Sequence, residues 1–216
     1  MPGFPGVIAK LFALHIDFDR CLADQPRSKS GSTMAQRWRM TRRTRNKPRP
    51  PLDGESLEQL ALFYVGRYAT TRAKLRSYLT RKLRERGWEE ASPPAIDALA
   101  EKLVDLGYID DAAFASSRAA SLGRRGYGQR RVDQALYAAG IEDEDGVDAR
   151  QMAVENAWDA ALTFVRKRRF GPFASEAFDR DRQRKALAAM LRAGHPFELA
   201  KKFIYADPDS VPERED

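Results

Sequence analysis

Few side chains in this 216-residue chain stand where they could do chemistry, and most of those have a simpler use. Asp110-Asp111 is a carboxylate pair of the kind that can seat a metal ion or divide acid and base roles. The same pair stands where a helix should begin. Asp110 suits an N-cap, and Asp111 puts negative charge in the first turn, where the helix dipole favours it. Ile109 and Phe114 then fall at the two positions of a hydrophobic staple, so capping accounts for both carboxylates. There are two histidines, His15 and His195, and one cysteine, Cys21. His195 follows Gly194, a position from which a side chain packs back on its own helix. Cys21 has no acid–base partner indicated. Gly123-Arg-Arg-Gly126-Tyr-Gly128 lacks the Gly-Lys-Ser/Thr of a P-loop and follows no strand, as a dinucleotide fingerprint must. Gly123-Arg-Arg-Gly126 matches the GXXG loop that clamps nucleic-acid backbone in KH domains, without the strands that accompany it there. No catalytic residue, cofactor site or metal site emerges, and the expectation is a protein that is not an enzyme.

These residues lie on a chain that reads as helical throughout. Leu57, Leu60, Ala61, Tyr64, Val65 and Tyr68 share one face of a helix beginning near Ser56. Thr70 or Thr71 can cap the next, with its stripe at Leu75, Leu79 and Leu83 before Gly87. Ser92-Pro93-Pro94 is a start signal for Ile96, Leu99, Leu103 and Leu106, closed by Gly107-Tyr108. From Asp110 a helix runs to Gly123, a basic turn reaches Gly128, and Val132, Ala135, Leu136 and Ala139 lead to Gly140-Ile141. The acidic stretch 142–148 precedes one long, kinked helix through Val147, Val154, Trp158, Ala161 and Val165. Phe170-Gly171-Pro172 breaks it. Phe178, Leu187, Met190 and Leu191 mark another helix, and 197–205 a last short one. No segment alternates with period two, so no strand is expected.

The formal net charge of +7 is a property of one segment. Residues 25–52 hold nine bases and no acid, whereas residues 53–216 hold 27 bases against 28 acids. That segment is rich in Arg, Ser and Pro and cannot bury much surface, so residues 1–52 are expected to form a mostly disordered basic extension. It is either a solubilising arm, an upstream extension of the reading frame before Met34 or Met40, or an arm that binds phosphates without sequence preference. A single cysteine allows no internal disulfide, and no apolar run spans a membrane; Val7–Ile16 lacks the basic leader of a signal peptide. A cytoplasmic monomer is the expectation.

A longer pattern organises the rest. Gly87, Gly140 and Gly194 end three similar helices and lie 53 and 54 residues apart. Each helix opens on bases: Arg72, Lys74 and Arg76; Arg130 and Arg131; Arg184 and Lys185. A period near fifty implies a stacked unit of about three helices. The division expected is 53–92, 93–141 and 142–206, with 207–216 a disordered tail. Stacked with a constant rotation, the bases would form one ridge suited to an extended acidic or polyanionic partner.

At Gly107–Ile141 the sequence resembles the RecX family, bacterial regulators of the recombinase RecA. The resemblance rests on Gly107-Tyr-Ile-Asp-Asp-Ala-Ala-Phe114-Ala, the glycine turn ending at Gly128, Arg131-Val132 and Leu136 to Gly140-Ile141. It extends more loosely to 60–87 and 184–204. The third unit departs from the family with Ala193-Gly194-His195-Pro196, and the basic leader lies outside the family core. The resemblance implies an all-α fold of tandem three-helix repeats, an elongated, curved array. It also implies a non-enzymatic protein that binds the RecA–DNA filament and modulates, usually inhibits, strand exchange, ATP hydrolysis and coprotease activity in recombination and the SOS response, with single- or double-stranded DNA as a further partner for some members. Arg124, Arg125, Arg130 and Arg131, with Arg72, Lys74, Arg76, Arg184 and Lys185, are the expected contact residues. Gly107, Tyr108, Asp110, Asp111, Phe114, Gly128, Leu136 and Gly140 are the structural signature. The rival expectation is a stand-alone helical DNA-binding protein that uses the basic tail and the ridge; a nucleic-acid enzyme lacks its catalytic set.

Overall fold

A computed structural model describes residues 49–214. His15, Cys21, Met34, Met40 and nearly all of the basic segment lie outside the described residues. Those described form nine α-helices: α1 Gly54–Arg67, α2 Arg72–Arg86, α3 Ile96–Asp105, α4 Asp111–Arg125, α5 Gln129–Ala139, α6 Val147–Glu155, α7 Ala157–Arg168, α8 Arg180–Arg192 and α9 Phe197–Ile204. A short 3-10 turn, Gly171–Phe173, follows α7, and no strand occurs among the described residues. None of their helices is long and apolar enough to cross a membrane.

Local chemistry explains most of the helix starts. Asp53 accepts the Ser56 N–H at 2.9 Å, Thr71 the Lys74 N–H at 3.2 Å, Asp110 the Ala113 N–H at 2.7 Å and Asp179 the Arg182 N–H at 2.7 Å. Each bond satisfies one of the amides that a helix leaves without an internal partner. α3 differs from its expected start. Ser92 does not cap it; the Ser92 carbonyl accepts the Trp88 indole N–H at 2.6 Å, and Ala95 precedes the helix without a side-chain bond.

Three apolar clusters group the helices by threes. Leu57, Ala61, Leu75, Leu79, Ala100 and Leu103 join α1–α3. Ala115, Leu122, Val132, Leu136 and Ala149 join α4–α6. Phe164, Val165, Ala186, Met190, Ala200 and Phe203 join α7–α9. The expected cut between residues 92 and 93 therefore falls inside the first cluster, because α3 packs back on α2. The one long helix expected from Val147 to Val165 is two, meeting at Asn156, whose side-chain amide donates to the Met152 carbonyl at 2.7 Å. α6 belongs to the second cluster and α7 to the third.

Both ends of the described fold extend beyond their expected limits. Leu52 has no exposure, and it pairs with Trp88 in an isolated parallel bridge, donating to the Gly87 carbonyl at 3.0 Å and accepting from Glu89 at 2.9 Å. After α9, the Asp209 N–H donates to the Pro172 carbonyl at 2.9 Å, and Arg214 reaches the Glu155 carbonyl at 3.3 Å. These bonds tie down part of a stretch expected to be a disordered tail.

Candidate functional site

The helix triplets meet through their glycine-ended helices, and this sets where charges can face a partner. Between the first and second triplets, the Thr71 hydroxyl donates to the Ala139 carbonyl at 2.7 Å, and Gly140 packs on Ala73. Between the second and third, the Gly128 N–H donates to the Ala193 carbonyl at 2.9 Å and the Arg130 N–H to the Gly194 carbonyl at 3.2 Å. His195 is fully buried there, its Nε2 3.0 Å from the Gly126 carbonyl. A carbonyl can only accept, so the bond requires the Nε2–H tautomer. Burial pushes the His195 pKa below its ordinary value, and the bond to Gly126 opposes that only in part. In both junctions the end of one second-position helix docks on the first turn of the preceding one. The 54-residue spacing of Gly140 and Gly194 is the sequence trace of that docking, while Gly87 closes α2 with nothing near its missing Cβ.

The junction between the second and third triplets carries an arginine surface. Arg124 and Arg125 end α4, Arg130 and Arg131 open α5, and all four are exposed. Tyr127 between them packs against both apolar clusters. The Arg125 and Arg131 guanidinium groups lie 5.6 and 6.0 Å from the centre of its ring, within cation–π range. Lys167, at the end of α7, donates to the Arg124 and Arg125 carbonyls at 3.3 Å each, so a fifth cation joins the group. Tyr137 lies one and two turns beyond Gln134 and Arg130 on the same face of α5 and is 87% exposed. Sequence reasoning passed over Lys167 and Tyr137. Tyr137 stands off the apolar stripe of α5, which was the available signal; Lys167 had none, because its neighbours come from another triplet.

The expected cations of the first triplet are placed differently. Arg72 donates from its backbone N–H and from Nε to the two oxygens of Asp111, each at 3.1 Å, and from Nη2 to Asp145 at 2.7 Å. The bond to Asp111 raises the Arg72 pKa further above its already high value. Asp111 is buried, so it is the anchor of a junction as well as a first-turn charge. The Lys74 ammonium sits 4.4 Å from the centre of the Phe114 ring, and desolvation lowers its pKa, with nearby Arg118 adding to the effect. Arg76 pairs with Asp97 at 2.9 Å and with Glu101 at 2.8 Å. These three half-buried bases already have a carboxylate or a ring as partner, and the expected ridge does not run through them as an open surface. In the third triplet Arg184 pairs with Asp181 at 2.9 Å, while Lys185 lines a cavity beside α7.

The signature residues take structural places. Gly107 and Gly140 adopt positive φ (73° and 68°), Leu136 is fully buried, and Tyr108 is exposed. Asp110 caps α4. Ile109 joins the first cluster and Phe114 borders the second, so the expected staple partners contribute to different cores. Among the described residues no three His, Cys, Asp or Glu side chains are grouped to hold a metal ion.

Residues 110–149, from the cap of α4 into α6, match the family described as RecX, second three-helix domain. The chain is 37% identical over 162 residues to the regulatory protein RecX of Myxococcus xanthus, covering 70% of this chain and 86% of that protein. To the regulatory protein RecX of Agrobacterium fabrum it is 34% identical over 148 residues, covering 67% and 79%. The crystal structure of RecX from Lactobacillus salivarius shares the fold, with a TM-score of 0.51 at 22% identity over 69% of this chain and 93% of that one. With residues 110–149 matching the family's second three-helix domain and two regulatory proteins RecX matched at 37% and 34% identity over two thirds or more of the chain, the chain belongs to the RecX family of regulatory proteins.

Proposed function

We propose that this protein is a non-enzymatic cytoplasmic regulator that binds the RecA–DNA filament and lowers its ATPase, strand-exchange and coprotease activities during recombination and the SOS response. The observation that carries the reading is the arginine surface at the second junction. Backbone bonds from Gly128 and Arg130 into the third triplet fix the first turn of α5, and so the direction from which Arg130 and Arg131 leave it. Arg124 and Arg125 end α4 just before the same turn, and Arg125 shares the Tyr127 ring with Arg131. A protein partner recognised there would present carboxylates or phosphates to the arginines and a pocket to Tyr137, since arginine and tyrosine anchor interfaces more often than most residues. The relatives carry the name regulatory protein, which supports a role in controlling another protein over a catalytic one.

The test is RecA ATP hydrolysis on single-stranded DNA with purified protein added. Wild type should slow hydrolysis, and a variant with Arg124, Arg125, Arg130 and Arg131 all changed to Glu should not. Inhibition unchanged in that variant would remove these arginines from the contact. Removing residues 1–47 leaves Leu52 in place and separates the basic segment from the junction. DNA binding that vanishes with 1–47, with RecA hydrolysis unaffected throughout, would favour the stand-alone DNA-binding reading instead.

A further inference from the structure

The third triplet holds a cavity of about 720 Å³ between the end of α7, the 3-10 turn and α8, well away from the α4–α5 arginine turn in sequence. Its walls combine two kinds of side chain. Phe170, Phe173 and Phe178 supply aromatic surface, with Phe170 and Phe178 edge-to-face at 6.0 Å. Arg168, Arg169, Arg182 and Lys185 supply four cations against one carboxylate, Asp209. The Arg182 guanidinium lies 4.7 Å from the centre of the Phe178 ring and the Arg166 guanidinium 5.1 Å from that of Phe173. Arg182 also pairs with Glu176 at 2.8 Å, which leaves Arg169 and Lys185 as the lining cations with neither a carboxylate nor a ring as partner among the described residues. Arg169 adds a separate sign. It is a non-glycine residue at φ 55°, the left-handed C-cap of α7, where glycine or asparagine would sit at lower cost. An arginine held there points to a use for its side chain.

We propose that this cavity binds a nucleotide, with the base against the phenylalanines and the phosphate on Arg169 and Lys185. Aromatic walls accept the flat face of any base, and guanidinium groups bind phosphate in fixed, forked geometry. Asp209 weighs against a bare anion, because its carboxylate repels one, yet it can accept from a base N–H or a sugar hydroxyl. An acidic peptide would use the cations and leave the aromatic surface unused. The nucleotide is either free or part of a single strand. The inference uses no residue of the arginine turn; of its cations only Lys185 is also an expected partner contact.

Four probes decide it, each added to the full-length protein: thymidine 5′-monophosphate, a twelve-residue oligothymidylate, inorganic phosphate and a ten-residue glutamate peptide. Binding of the monophosphate supports the proposal with a free nucleotide as ligand. Binding of the oligothymidylate alone supports it with a strand as ligand, provided the same variants weaken it. Those variants are Arg169→Asn, which tolerates the left-handed backbone, Lys185→Glu and Phe178→Leu. Each should weaken binding at least about fivefold, the low end of what one base stack or charged contact contributes. Arg81→Glu, an exposed charge change on α2, should stay within about twofold. As a check on the folded wild type, an oligothymidylate carrying 5-iodouracil should photocrosslink within residues 168–186. Crosslinks confined to other segments, indifference to all three variants, or binding of phosphate or the glutamate peptide as tightly as the nucleotides would overturn the proposal.

Discussion

At the scale of single residues, the structure reverses the rank of the two aspartates that first suggest chemistry. Asp110 makes one exposed cap bond, whereas Asp111 is buried and holds Arg72 through two hydrogen bonds. Asp110→Ala should therefore cost only about 1 kcal/mol, the usual worth of an N-cap. Arg72→Ala keeps the backbone N–H bond to Asp111 but removes the guanidinium that balances its buried charge, and should cost roughly 3 kcal/mol, the lower end for broken buried pairs because that bond remains and the Arg72 side chain keeps some solvent contact. Urea denaturation at neutral pH would compare the two, and equal losses would contradict the ranking. His195 gives the second residue-scale prediction. Its folded pKa lies below its unfolded value, so the unfolded chain takes up the proton first as pH falls. Stability is then whole above the ordinary histidine pKa of about 6.5 and declines as pH drops through and below it. The physical cause is burial: a protonated ring would hold its charge out of water inside the second junction, with an Nδ1–H that meets no bonded acceptor. The urea midpoint should fall between pH 7.5 and 5.5 in wild type and fall less in His195→Gln, which can still donate to Gly126. Parallel pH profiles would rule the mechanism out.

At the scale of elements, glycines that look alike in sequence separate into two kinds. Gly140 has positive φ, and a Cβ there would overlap the Ala73 methyl, so Gly140→Ala meets a backbone penalty and a clash together and should lose about 2 kcal/mol or more. Gly123 lies inside α4 with nothing near its missing Cβ, and Gly123→Ala should gain up to about 1 kcal/mol from helix propensity. Thermal melts of the two variants should shift in opposite directions. What was legible in the sequence follows the same division between local and distant causes. Caps at Thr71 and Asp110, the closures at Gly107 and Gly140, and the buried stripe of Leu136 depend on residues within a turn or two, and all were readable. The repeat was readable because the glycines that close α2, α5 and α8 return at nearly constant spacing, and the last two also dock on the preceding triplet. The commitment of Arg72 was not, because Asp111 is 39 residues away and Asp145 is 73. The break at Asn156 was hidden because apolar spacing continues across it while the helices on either side serve different cores. Leu52 was hidden by its Pro- and Arg-rich neighbours, and its burial comes from a bridge to Trp88 that no local pattern announces.

At the scale of the whole molecule, the question is whether the arginine turn acts by charge alone or needs the junction that orients it. Each helix triplet has its own apolar cluster, and the second and third meet through polar backbone contacts (Gly128 to Ala193, Arg130 to Gly194 and His195 to Gly126) beside the packing of α4 on α7 and of Tyr127 on both clusters. Opening it uncovers Tyr127 and the α4–α7 contact but leaves most of each cluster packed, so it should be cheaper than global unfolding. Gly128→Val tests this, because a side chain there would run into the Gly194 carbonyl carbon and the His195 nitrogen. A loss of about 2 kcal/mol at the junction would raise exchange of the Arg130 amide roughly thirtyfold, while amides in α2 and α3 keep their wild-type rates. The variant retains Arg124, Arg125, Arg130 and Arg131 and the same net charge. If orientation matters, it should inhibit RecA ATP hydrolysis more weakly than wild type at equal concentration, with the deficit smaller at low salt, where undirected attraction is stronger. Faster junction exchange with undiminished inhibition would mean that the charge cluster suffices, and that the glycine docking maintains the repeat without shaping its contact with the filament.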